Sequence, residues 1–120
     1  MGDLAAVKPG LEQERIITLE DKHMVLHTGR PIFGTPMMVG LVEGACHELV
    51  LPLLPPDTTT VGYEISMKHK APAFVGDAIG IHAKVVEVDG RKLLFEVRVR
   101  LGDKTIGEGF HRRTVIPVSG

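Results

Sequence analysis

The chain of 120 residues has no tryptophan, one tyrosine and four phenylalanines, too few rings to furnish a base-stacking surface for nucleic acid. Its one cysteine, Cys46, rules out an internal disulfide and fits a reducing compartment. Charge of one sign is missing too. The 14 Lys and Arg balance 15 Asp and Glu to a net −1, and their mixing along the chain offers no electrostatic grip on nucleic acid. No apolar run approaches the roughly 20 residues of a membrane span, the best candidate being interrupted by Glu43. The N-terminal MGDLAAVKPGL lacks a secretory pattern and the Ser or Thr at position 6 of a myristoylation site. These absences predict a soluble cytoplasmic protein with no nucleic-acid partner and no membrane partner.

What is present suits one globular domain over residues 1–120, large enough for a single core. Leu11 to Leu19 is predicted as a first strand, and Asp21 to Pro31 as a connection with a turn of helix at His23–Leu26. Helix signals begin at Thr35–Pro36, an N-cap followed by proline at the first helical position. They end near Leu51, because Pro52, Pro55 and Pro56 cannot continue a helix. From Thr59 the hydrophobic period changes from 3.6 to 2.

VGYEISMKHKA (61–71) alternates Val61, Tyr63, Ile65, Met67 and His69 against polar partners. AIGIHAKVVEV (78–88) alternates through Val85, then slips phase at Val86 and Val88, as a bulge would make it do. Asp89-Gly90 marks a hairpin, after which RKLLFEVRVRL puts Leu93, Phe95, Val97, Val99 and Leu101 on one side. Gly102-Asp103 turns the chain into KTIGEGFHRRTVI. Strand, long helix and four strands predict an α+β fold, a curved five-stranded antiparallel sheet wrapped round one helix. An open sheet edge predicts pairing with a second copy.

The helix has two faces. Met38, Leu41, Val42, Ala45 and Leu49 form a core stripe. Opposite lie Pro36, Gly40, Glu43, Gly44 and His47. Two interior glycines cost roughly 1 kcal/mol each against alanine, a cost that close approach of a backbone or ligand explains. One carboxylate among them is the first candidate for chemistry. His69 is the second, on the half-buried parity of its strand and just before the APAFVG turn. The third is the last strand, where Gly107, Gly109, His111 and Arg113 share a face that something approaches closely.

Other arrangements fall away. His23 and His27 have helical spacing but no third ligand, so no metal site is expected. Cys46 and His47 diverge on a helix and make a poor nucleophile–base pair. No GxSxG elbow, phosphate-cradling loop or dinucleotide fingerprint occurs.

Three stretches, GTPMMVGLVEGAC, VGYEISMKHKAPAFVG and IGEGFHRRTVIP, resemble the hotdog-fold thioesterases of the fluoroacetyl-CoA thioesterase type, over about residues 30 to 117. The resemblance implies a hotdog fold and hydrolysis of an acyl-CoA thioester, with coenzyme A as part of the substrate and no separate cofactor. Its Thr–Glu–His constellation falls on Thr35, Glu43 and His69. Glu43 would be nucleophile or general base, Thr35 would orient the carboxylate, and His69 would stabilise charge and handle the proton. A glycine near the acyl group falls on Gly62 and an arginine of the last strand on Arg113. Phe33, with Met37, Met38 and Phe74, would set the size of the acyl pocket. Arg30, Lys68, Lys70, Arg112 and Arg113 are candidates for coenzyme A phosphates.

A homodimer, or a dimer of dimers, is implied as well. The connection DKHMVLHTGRPIFG is short, with little room for a lid, and Pro36 follows Thr35 where the fluoroacetyl-specific member has glycine. The resemblance is therefore carried to small or medium acyl groups and not to fluoroacyl specificity. A non-catalytic acyl-CoA binding or sensing domain is the alternative on the same fold. A hydratase would need an Asp/His pair on the helix, and none is there.

Overall fold

The computed structural model describes residues 4–26 and 29–119. The strands are β1 (Glu12–Thr18), β2 (Met24–Leu26), β3 (Pro31–Phe33), β4 (Thr58–His69), β5 (Ala78–Asp89), β6 (Lys92–Leu101) and β7 (Lys104–Pro117), and the helix α1 is Thr35–Val50. Five strands form one antiparallel sheet in the order β1-β5-β6-β7-β4, while β2 and β3 make a separate two-stranded hairpin. α1 packs on β5 and β4 and also reaches β1 and β7, so the sheet wraps the helix as expected.

The core follows from the strand period. Leu93, Phe95, Val97 and Val99 of β6 and Ile79, Ile81, Ala83 and Val85 of β5 are all buried. They meet Met38, Val42, Ala45, Cys46, Leu49 and Val50 of α1. Each large side chain removed from water in this way contributes about 1.5–3 kcal/mol. By length and composition alone, the run Thr35–Leu53, with a mean hydropathy of 1.2, could cross a membrane. Here it supplies the apolar stripe that the sheet covers.

The turns match their sequences closely. The β5–β6 loop is Gly90-Arg91, one residue later than expected, and the β6–β7 loop is Gly102-Asp103. Both glycines have φ of +61°, where a side chain is disfavoured. The phase slip at Val86 is a register shift between Val85 and Glu87.

Three expectations are corrected. The helical turn expected at His23–Leu26 is strand β2, because Val25 pairs with Ile32 of β3; a single 3-10 turn precedes it at Asp21–His23. The helix cap is Gly34, not Thr35, which lies inside the first turn with its hydroxyl taken elsewhere. Val61 and Tyr63 do not share the face of Ile65, Met67 and His69. A register shift between Gly62 and Glu64 inserts Tyr63 as an extra residue, so Val61 and Tyr63 stand exposed on the outer face while Thr60 is buried.

Gly109 and Gly40 separate two uses of glycine. A Cβ on Gly109 would collide with the Ser66 backbone carbonyl of β4, whereas one on Gly40 would meet nothing within 4 Å. Gly109→Ala is expected to lower the melting temperature by several degrees, since β4 and β7 must separate to admit it. Gly40→Ala is expected to stabilise the helix by about 1 kcal/mol. Chemical denaturation of both variants checks this, and a tolerated alanine at 109 would contradict the close approach.

Candidate active site

β3 fixes where the helix begins. Phe33 N–H donates to the Ala73 carbonyl at 2.8 Å, and Gly34 N–H to the His23 carbonyl at 3.0 Å. The first residue of α1 thereby lies beside the last of β4. There Thr35 Oγ1 and His69 Nδ1 share a hydrogen bond of 2.8 Å. The Phe33 ring packs edge-on against the imidazole, with centroids 5.8 Å apart at 73°. Phe33 is 1% exposed, so it backs His69 from the core rather than lining an open pocket.

The second ring nitrogen, His69 Nε2, is buried and has no hydrogen-bond partner among the described residues. An orphan of that kind costs about 1–3 kcal/mol unless something else supplies the bond. Burial holds the pKa of His69 below 6.5, with the Ala71 backbone acting in the opposite sense. Burial thus favours the neutral ring.

Glu43 does not join this pair. It lies eight residues further along α1, about 12 Å along the axis, and the chain before Pro36 runs back into β3 rather than towards it. The half-buried Glu43 instead belongs with the β7 row, where its charge acts on His111 and Arg113. Gly62 stands opposite Arg113 in the sheet register. A Cβ there would fall 2.8 Å from His111 Cε1 and 3.0 Å from Arg113 Nη1. Glycine leaves room for those two side chains to lie across β4.

Two groups in this region were not assigned a role by sequence reasoning. Arg113 Nε donates to Thr60 Oγ1 at 2.8 Å, and Thr60 Oγ1 is 2.7 Å from His47 Nδ1. The i, i+4 spacing of Glu43 and His47, which puts both on one helix face, was the only trace of this in the sequence. Burial lowers the pKa of His47, with Arg113 adding to the shift. Burial likewise lowers that of His111, against the opposing pull of the Glu64 carbonyl.

Neighbouring groups narrow the chemistry. Burial pushes the Cys46 thiol up to about 12, which leaves almost no thiolate for attack at neutral pH. His23 Nδ1 accepts the Glu20 N–H at 2.9 Å, and His27 lies outside the described residues. Among the described residues no cluster of three His, Cys, Asp or Glu could hold a metal ion. Of the basic candidates for phosphate contact, Lys70 pairs with Glu108 and Arg112 with Glu64, each at 2.7 Å. Arg30 stacks 3.6 Å over the Phe74 ring. Hollows of about 330 and 370 Å³ flank Phe110 on the outer sheet face, lined by none of Thr35, Glu43 and His69.

His47, His69 and His111 are all held below 6.5. The unfolded chain takes up a proton at each near its ordinary value, and the folded chain does so only at lower pH. Stability is then full above that value and falls as pH drops through it. The urea midpoint is expected to decrease between about pH 7.5 and about pH 5.5; a flat midpoint over that window would contradict three imidazoles whose protonation burial disfavours.

Comparison with known proteins identifies the family and the fold. The family described as fluoroacetyl-CoA-specific thioesterase matches residues 12–119. The fluoroacetyl-CoA thioesterase of Streptantibioticus cattleyicolor is 36% identical over 85 residues, 71% of this chain and 61% of that protein. The chain thus spans about three fifths of the length of the curated relative it matches. A crystal structure of a fluoroacetyl-CoA thioesterase superposes with a TM-score of 0.87 at 28% identity, covering 93% of this chain and 90% of that one. A thioesterase superfamily member from Thermus thermophilus shares the fold at a TM-score of 0.85 and 20% identity, covering 93% of this chain and 85% of the other. With nearly its whole length matched and its sheet and helix superposed, the chain belongs to the fluoroacetyl-CoA-specific thioesterase family and has the hotdog fold.

Proposed function

We propose that this chain hydrolyses coenzyme A thioesters of small or medium acyl groups, in the cytoplasm and as a homodimer. The observation that carries the proposal is the Thr35–His69 pair at the helix N-terminus, with His69 Nε2 buried and unpartnered. If the Thr35 hydroxyl donates to Nδ1, Nε2 carries the proton and becomes a neutral donor towards the thioester carbonyl. The first turn of α1 adds the N–H groups of Thr35 and Met37, which have no partner inside the helix. Together they can stabilise an oxyanion, a contribution of about 3 kcal/mol per donor.

Glu43 supplies the attack. Its carboxylate either takes a proton from water, which adds to the carbonyl carbon, or adds itself and forms an acyl anhydride that water then cleaves. In both routes the C–S bond breaks, the electron pair leaves on sulfur, and coenzyme A departs as the thiol after protonation. Arg113 and Gly62 stand opposite each other across β7 and β4, and the Glu43 charge reaches Arg113. Phe33 keeps the His69 ring in place from behind.

A second copy completes this site. Within one chain Thr35 and Glu43 are about 12 Å apart along a rigid helix, too far to act on one carbonyl. β4 is 12 residues long and ends the sheet, with one edge unpaired among the described residues, an invitation to a second β4. Pairing there would bring the Thr35–His69 end of one chain towards Glu43 of the other.

Release of free thiol from a panel of acyl-CoA esters tests the function. Wild type should turn over, and Glu43→Gln should lose about a hundredfold or more while keeping its melting temperature. Near-full activity in Glu43→Gln would remove that residue from the mechanism. No turnover by either protein, with coenzyme A esters still raising the melting temperature, would replace the enzyme with a binding domain.

A further inference from the structure

Between α1 and the β4–β7 pair runs a polar chain that ends on the Arg113 guanidinium. Thr60 Oγ1 accepts from Arg113 Nε and shares a second hydrogen bond of 2.7 Å with His47 Nδ1, its two lone pairs and one proton allowing both at once. His111 Nδ1 faces the Glu64 carbonyl at 2.8 Å and therefore donates. That leaves His111 Nε2 as the acceptor for Arg113 Nη1 at 3.1 Å. Arg113 Nη2 donates to the Thr60 carbonyl at 3.0 Å. Every nitrogen of the guanidinium is thus held by a neutral acceptor.

This is an unusual state for a buried cation. Arg113 is 8% exposed, yet among the described residues it forms no ion pair with a carboxylate. The carboxylate whose charge reaches it is Glu43, on the same helix face as His47. An arginine free to move can form a bidentate pair with a nearby carboxylate, and a glutamate so engaged is a poor base and a poor nucleophile. Three bonds to the 60 and 111 positions hold the fork away from that geometry.

We propose that Thr60 and His47 are positioning residues for the reaction. They tether Arg113 beside Glu43 without letting the two pair directly, so that the carboxylate stays free to act. The proposal rests on the assignment of Glu43 as the attacking group. Neither Thr60 nor His47 touches the reacting atoms; both act through Arg113.

A double-mutant cycle on kcat and KM tests it. Thr60→Val keeps the shape and removes the acceptor, and it is expected to lower kcat about tenfold with KM changed less than about twofold. Thr60→Ser should restore the rate. His47→Leu should behave as Thr60→Val does, with His47→Asn, whose amide oxygen can replace Nδ1, recovering most of the loss. In an Arg113→Met background Thr60→Val should have almost no further effect.

Side-chain NMR of arginine gives an independent readout. A protected Arg113 Nε–H signal is expected in wild type and should be lost in Thr60→Val. A rate loss that persists undiminished without Arg113, or an Nε–H signal indifferent to Thr60→Val, would overturn the tether. Absence of turnover on every thioester would overturn the assignment of Glu43, and the positioning role with it, even if the Nε–H signal behaves as expected.

Discussion

The rise of one helix sets the spacing of everything chemical in this protein. α1 is stiff, and at 1.5 Å per residue it places Thr35, Glu43 and His47 at fixed intervals along a single rod. The sheet then meets each of them with a different residue. His69 at the end of β4 takes Thr35, the His111–Arg113 row of β7 faces Glu43, and Thr60 near the start of β4 takes His47. Because β4 and β7 are antiparallel neighbours, these partners are in register with one another as well as with the helix. Shifting the helix by one turn would break all three encounters together.

Bare backbone makes those encounters possible. A Cβ on Gly107 would fall 2.6 Å from the Met38 sulfur, and one on Gly62 would displace His111 and Arg113. Where β4 and β7 meet α1, large side chains therefore use the space that bare backbone leaves. Packing and electrostatics are the same problem here. A guanidinium can be buried without a counter-ion in contact only where neutral acceptors hold all its nitrogens, and the glycine opposite gives it room to reach them.

Much of the fold was legible in the sequence because its signals are local. The Gly-containing hairpins, the phase slip at Val86 and the inward faces of β6 and β7 all come from neighbouring residues with a clear period. Tyr63 departs from the expected face because the bulge that inserts it leaves the apolar alternation of Val61, Tyr63 and Ile65 intact in the sequence. Thr35 carried every mark of a cap. Its hydroxyl is bound instead by a histidine 34 positions away, an encounter set by the β3–Ala73 contact that no local pattern encodes. Glu43 and His69 could each be singled out as anomalies, and the distance of about 12 Å between Thr35 and Glu43 follows from the helical rise alone. The partnership of His47 with Thr60 was invisible, since one residue looked like helix surface and the other like ordinary strand.

The central claim is that one thioester is handled by Glu43 of one chain and the Thr35–His69 pair of another. Subunit complementation tests it most directly. Glu43→Gln and His69→Ala are each inactive alone if both groups are needed, and mixed dimers of the two contain one intact site in every hybrid. Random exchange should then recover about a quarter of wild-type thiol release, as the arithmetic of a two-fold dimer requires. Hybrid dimers demonstrated by mass spectrometry that remain inactive would contradict a shared site.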